Sequence, residues 1–138
     1  IGFGLTEDRD MTPPVVNPHG FTMEWMRAQP DNGLLEHRHA NIQALLVKSG
    51  DWKLTVNRGA QAHAVTVEPG TVVSIPPKVW RSLRCVRGAG QVLLITGSES
   101  RTRIEWSDDV RRNAQGAGWA IDPDGYIAPT EVLALAAA

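Results

Sequence analysis

Hydrophobic and polar positions alternate with a period of two in two stretches between Phe21 and Thr96. Trp52, Leu54 and Val56 interleave with Lys53, Thr55 and Asn57, the pattern of a strand with one buried face. His63, Val65 and Val67 interleave with Ala62, Ala64 and Thr66 in the same way. Phe21–Met26, Gln43–Lys48, Thr71–Ile75, Val79–Val86 and Gln91–Thr96 read as further strands, being rich in β-branched and large apolar residues. Turn signals separate them at Pro30-Asp31-Asn32-Gly33, Ser49-Gly50-Asp51, Asn57-Arg58-Gly59, Glu68-Pro69-Gly70 and Gly88-Ala89-Gly90. Short strands spaced by about ten residues predict an antiparallel sandwich or barrel.

One helix is predicted after the strands. Ser107 can cap its start, Asp108 and Asp109 suit the positive end of its dipole, and Gly116-Ala117-Gly118 stops it. Trp106 and Trp119 flank the helix and are expected to clamp it to the barrel. Ile121 to Tyr126 reads as a turn tying down the tail. The expected organisation is an irregular arm over 1–20, a barrel over 21–106, and a helix with its tail over 107–132. Residues 133–138 read as much like a cloning scar as native helix.

Composition narrows the function classes. The chain has 138 residues, 42% of them hydrophobic and 21% charged, the balance of one globular domain. A formal net charge of −1 argues against duplex DNA or an acidic membrane surface as partner. The single cysteine, Cys85, excludes an internal disulfide framework and a cysteine-based zinc cluster. No apolar run approaches the roughly 20 residues that span a bilayer, and the default location is the cytoplasm.

The chemistry concentrates between Gly33 and Gly50. On a strand, His37 and His39 point to one face, and Gln43 shares their parity if the strand is continuous. Two imidazoles and an amide carbonyl converging inside a barrel make a divalent-metal site. A bare His-x-His also arises on surface strands, where both rings are solvated.

The spacing carries more information. His37-x-His39, three residues, Gln43, six residues, Gly50 resembles the first cupin motif, whose Gln43 position is usually Glu. The second cupin motif runs Gly, five residues, Pro, x, Gly, two residues, His, three residues, Asn. Here Gly70, Pro76, Lys78, Arg81 and Cys85 stand at those places. The resemblance covers about Phe21 to Thr96 and implies a double-stranded β-helix, the jelly-roll cupin barrel, with a pocket inside; the short C-terminal helix predicted above follows it.

The departures matter for chemistry. Arg81 replaces the motif's final His, Lys78 its Gly and Cys85 its Asn, while Gly33 lies closer to the first His than the motif has it. Arginine cannot ligate a metal, since its guanidinium is all donor and always charged. Facing a dication at ~4 Å it would be repelled by roughly twice the ~4 kcal/mol of two unit charges near a protein surface. Gln43 in place of Glu removes the anionic ligand that would offset this. The resemblance thus implies a divalent metal (Fe, Ni, Cu, Mn or Zn) held by His37, His39 and Gln43, weakly bound or absent. His19 and His63 are further candidate ligands that the sequence does not place.

Arg81 shares a face with Val79, Leu83 and Cys85, so it either meets an anion within apolar walls or snorkels to the rim. Trp25, Trp52 and Trp80 are candidates for stacking an aromatic ligand, with core or dimer surface as the alternative. Cys85 reads as a small buried hydrophobe and Glu36 as surface.

Arg103-Ile104-Glu105-Trp106, Val110 and Asp124-Gly125-Tyr126 resemble the small quercetinase-like cupins, and Gln43 resembles the cupin-type polyketide cyclases. That resemblance implies a metal-dependent dioxygenase, or a cyclase or isomerase, acting on an aromatic or polyketide-like small molecule. Arg81 would stabilise a developing enolate. The contrasting expectation is a non-catalytic, metal-free binding module that holds an anionic ligand through Arg81, or the structural half of a longer two-cupin protein. A homodimer is expected, paired through outer sheets or N-terminal arms.

Overall fold

The computed structural model describes residues 14, 15, 17, 19–98 and 102–130. The N-terminal arm and the terminal alanine run fall largely outside them. Among the described residues nine strands and one α-helix follow in order: β1 Thr22–Ala28, β2 Gly33–Arg38, β3 Gln43–Val56, β4 His63–Val67, β5 Val72–Ile75, β6 Arg81–Thr96, β7 Glu105–Trp106, α1 Asp108–Gly116, β8 Trp119–Ile121 and β9 Ile127–Pro129. Among the described residues no helix is long and apolar enough to cross a membrane.

Two long strands organise the fold. β3 runs 14 residues and β6 runs 16, and they pair antiparallel from Gln43↔Thr96 to Val56↔Arg81. The turns expected at Ser49-Gly50-Asp51 and Gly88-Ala89-Gly90 are bends within these strands. The register shifts between Val47 and Trp52, with Gly50 at φ +73° and Gly88 at φ +75°. A Cβ on Gly50 would meet the Gly90 Cα at 2.8 Å, so the bends cross backbone on backbone. The glycines kink the ladder without ending it.

Each half of the long pair collects its own neighbours. Beyond the bend, β4 pairs with Trp52–Val56 while β2, with β7 outside it, pairs with Arg81–Arg84. Before it, β5 pairs with Gln43–Leu46 and β1 with Gly90–Thr96. The inward residues of both halves form one core: Leu45, Val47, Ile75, Val92 and Leu94 meet Trp52, Leu54, Val67, Leu83 and Cys85, all at most 4% exposed. This is the expected all-β double-stranded β-helix with a short C-terminal helix.

The helix begins as expected, with the Ser107 hydroxyl accepting the Val110 N–H and Asp108 and Asp109 in the first turn. After it, β8 and β9 make a hairpin that the sequence reading took for a turn alone. Asp122 Oδ1 accepts the backbone N–H groups of Asp124 and Tyr126, each at 2.9 Å. The hairpin docks through Trp106, whose Nε1–H donates to the Gly125 carbonyl at 3.0 Å. Trp119, 42% exposed, opens β8, the strand that contacts α1.

Candidate functional site

His37, His39, Gln43 and Arg81 meet at one end of the barrel. All four are shut off from solvent, at 1%, 3%, 1% and 2% exposure. The route to this convergence differs from the one expected. β2 ends at Arg38 and β3 starts at Gln43, so no continuous strand carries the three metal-type residues. His37 stands opposite Arg81 on one half of the fold, and Gln43 opposite Thr96 on the other. The site lies between the halves. The turn bearing His39 is pinned by its own carbonyl, which accepts the Lys78 N–H at 2.7 Å, and by Asn41 Nδ2–H donating to Gly97 O at 2.8 Å.

The hydrogen bonds fix the protonation of both rings. His37 Nδ1 lies 2.7 Å from the Leu35 carbonyl, which can only accept, so Nδ1 carries the proton and Nε2 presents a lone pair. That Nε2 is buried without a partner. Trp106 packs against the ring with centroids 5.4 Å apart, a neighbour the sequence reading assigned only to the helix clamp. His39 Nε2 lies 2.7 Å from Arg81 Nη2, which can only donate. The Asn41 N–H, 3.3 Å from Nδ1, competes for the ring's one lone pair, and the short charge-assisted contact takes it.

Arg81 points inward, not to the rim. Its Nη1 donates to the Val79 carbonyl at 2.8 Å and its Nη2 reaches Gln43 Oε1 at 3.4 Å. Its Nε–H is buried with no acceptor. Gln43 is held the other way by Thr96, its Nε2–H donating to Oγ1 at 3.1 Å. Burial and the guanidinium charge push both His37 and His39 down to about 4, and burial lowers Arg81 to about 10. The site at neutral pH is therefore two neutral imidazoles, a neutral amide and one permanent cation.

These residues do not fit a divalent metal as they stand. Metal–imidazole bonds are about 2.1 Å long, so an ion on His39 Nε2 would have to occupy the place of the Arg81 Nη2. Among the described residues no third histidine, cysteine or carboxylate joins the two rings. His19 is exposed, and His63 lies exposed on β4. Trp52 is core; Trp25 is half exposed on the outer sheet face; the Trp80 ring stacks with the Arg38 and Arg58 guanidinium groups at 4.7 and 4.2 Å. Cys85 is fully buried, and Glu36 pairs with Arg58 at 3.1 Å.

The buried cluster has an outer neighbour that the sequence reading missed. A groove of about 430 Å³ lies between the end of β2, the turn before β6, the segment leading into β7, α1 and the β8–β9 turn. His39 is part of its wall, and the same residue holds the Arg81 guanidinium through Nε2.

No family model matches the sequence, and no curated protein matches it. Solved structures do match in three dimensions. Oxalate oxidase in complex with glycolate aligns with a TM-score of 0.57 at 15% identity, over 63% of this chain and 46% of that one. Bacillus subtilis oxalate decarboxylase, studied for its Mn(II) centres, gives 0.55 at 17% identity, over 59% and 22%. Vicilin from hazelnut, Corylus avellana, gives 0.55 at 18% identity, over 62% and 25%. The chain has the cupin fold. The aligned region is less than half the length of each of these cupins, and at such identities the likeness is one of fold.

Proposed function

We propose that this cupin is a metal-independent binding module for a small organic anion, with Arg81 as the anion's partner. The carrying observation is the buried guanidinium whose Nε–H has no acceptor and whose described partners are all neutral. A buried cation without a counter-charge is costly, and a carboxylate or enolate removes that cost. The bare His37 Nε2 adds an acceptor, so the preferred ligand pairs an anionic oxygen with a neighbouring hydroxyl. An anion on Arg81 would also free the His39 lone pair for the Asn41 N–H. The solved neighbour bound to glycolate, a hydroxy acid, suggests the first probe.

A second reading keeps the metal-dependent dioxygenase, cyclase or isomerase. It is favoured by His37, whose Nδ1–H is locked on a carbonyl while Nε2 stays bare, the arrangement of many metal-bound histidines. It needs Arg81 to leave His39.

Two measurements separate the readings. Protein purified without chelator or metal-affinity resin should carry no stoichiometric metal and should bind glycolate by calorimetry, with binding lost in Arg81→Gln. Arg81→His, which removes the cation and adds a third imidazole, should gain divalent-metal binding. Stoichiometric metal in the unaltered protein that disappears in His37→Ala would overturn the anion reading.

The homodimer belongs to the same proposal. Val72, Leu46, Leu93 and Trp25 stand in register across four strands, with Val72 and Trp25 67% and 50% exposed. Such an apolar row on an outer sheet face supports pairing with a second copy; sedimentation showing only monomer at micromolar concentration would refute it.

A further inference from the structure

The groove beside His39 has a charge pattern that the buried site does not account for. It is lined by four cationic side chains, Arg38, Lys78, Arg103 and Arg111, and by two carboxylates, Glu105 and Asp122. Two of the cations are already matched. Arg38 makes a bidentate pair with Glu105, Nε to Oε2 at 2.7 Å and Nη2 to Oε1 at 2.8 Å. Arg103 pairs with Asp124 at 2.8 Å. Asp122 is turned to the backbone of its own loop. Among the described residues neither Lys78 nor Arg111 makes an ion pair, although Arg111 lies near enough to Glu105 to help hold its carboxyl below the usual range, behind the larger effect of Arg38.

The backbone singles out Lys78 independently of its charge. It sits at φ +64°, a left-handed conformation that glycine adopts freely and a long side chain adopts at a cost. Its N–H is bonded to the carbonyl of His39, which ties the strained residue to the wall shared with Arg81. A lysine kept where the backbone favours glycine, with its side chain lining a cavity, points to use of the side chain.

We infer that Lys78 and Arg111 form a second anion subsite, and that the ligand is a small organic dianion. One acidic group reaches Arg81 past His39, while the other, a carboxylate or a phosphate, stays in the groove between Lys78 and Arg111, which hold no ion pair of their own. This deepens the anion reading of Arg81 and rests on it. Selectivity follows from the pairing pattern: a monoanion satisfies Arg81 alone, while a dianion also gains charge-assisted contacts in the groove. Lys78 and Arg111 are thus specificity residues.

The test compares three probes by calorimetry at fixed ionic strength: glycolate with one charged group, succinate with two carboxylates, and 2-phosphoglycolate with a carboxylate and a phosphate. At least one dianion should bind about tenfold or more tighter than glycolate, and which one does so tells whether the groove takes a carboxylate or a phosphate. Lys78→Gly and Arg111→Gln should each remove most of that advantage and leave glycolate affinity unchanged. Lys78→Gly relieves the left-handed strain, so its melting temperature should be equal to or above that of the parent, which separates a lost subsite from a lost fold. If glycolate binds and neither dianion binds tighter, or the advantage persists in Lys78→Gly and Arg111→Gln, the subsite is overturned. If dianions bind with dependence on Lys78 but not on Arg81, the groove stands as an anion site and the Arg81 reading fails. If none of the probes binds, both fall.

Discussion

Two regions of this barrel are equally dry and chemically opposite. Around the strand bends, Trp52 and Cys85 are fully buried against Gly90. The strong donors there are satisfied, with Trp52 Nε1–H donating to Ser49 O at 3.0 Å and the Ser49 hydroxyl to Ala89 O at 2.8 Å. At the end where β2 meets the start of β6, His37, His39, Gln43 and Arg81 are sealed just as well, yet two polar atoms lack partners. Packing explains the first region completely. The second carries an energetic deficit that packing does not explain, and such deficits concentrate where a protein meets a ligand.

The largest expected effect lies in the packed region. Trp52→Ala should cost about 3–5 kcal/mol, the range for deleting a large buried aromatic. Urea denaturation measures it, and a loss below ~1 kcal/mol would mean that this region is not the structural core. Gly90 offers no room for repair, since a Cβ there would meet Trp52 Cζ2 at 2.4 Å and Cys85 Sγ at 2.8 Å.

Acid should act on the other region. His37 and His39 have folded values of about 4 against an ordinary 6.5, so between these values the unfolded chain binds more protons than the folded one. Stability is then fully present above about pH 6.5 and is lost as pH falls through about 4, by a few kcal/mol for the two rings together. His37→Gln with His39→Gln should flatten that slope in denaturation measured from pH 7 to 4. A slope unchanged in the double variant would place the titrating groups elsewhere.

Arg81→Met gives the smallest change in stability and the sharpest contrast. Replacing a buried, uncompensated charge by an apolar side chain of similar length removes the cost of burying that charge but leaves the Val79 carbonyl and Gln43 Oε1 without their donor. The two effects offset, so stability should stay within about 1 kcal/mol of the parent, while glycolate binding disappears. Destabilisation by more than ~1 kcal/mol would show that the guanidinium holds the fold together and does not wait for a ligand.

Much of this was legible along the chain. Period-two alternation marked the strands, Ser107 and the two aspartates marked the helix start, and motif spacing singled out His37, His39, Gln43 and Arg81. The strand bends were misread because Gly-containing triplets signal turns and kinks alike, and only pairing partners on both sides tell them apart. The groove was invisible because its residues come from five separate segments, with no two of its cations within four residues of each other in sequence. Trp106 was noticed for its nearness to the helix, while its contact with His37 comes from β7 pairing beside β2.

Local sequence determined which segments extend, where the helix starts, and that Arg81 stands where the cupin motif has a histidine. These follow from side-chain period, capping chemistry and spacing, which act over a few residues. Tertiary structure alone decided that the Arg81 guanidinium turns inward onto His39 Nε2, that His37 keeps a bare lone pair, and that Lys78 opens toward a cationic groove. Those outcomes depend on which strand lies beside which and on what each buried polar atom finds within 3 Å, and such distances are set only when the two halves of the barrel close on one another.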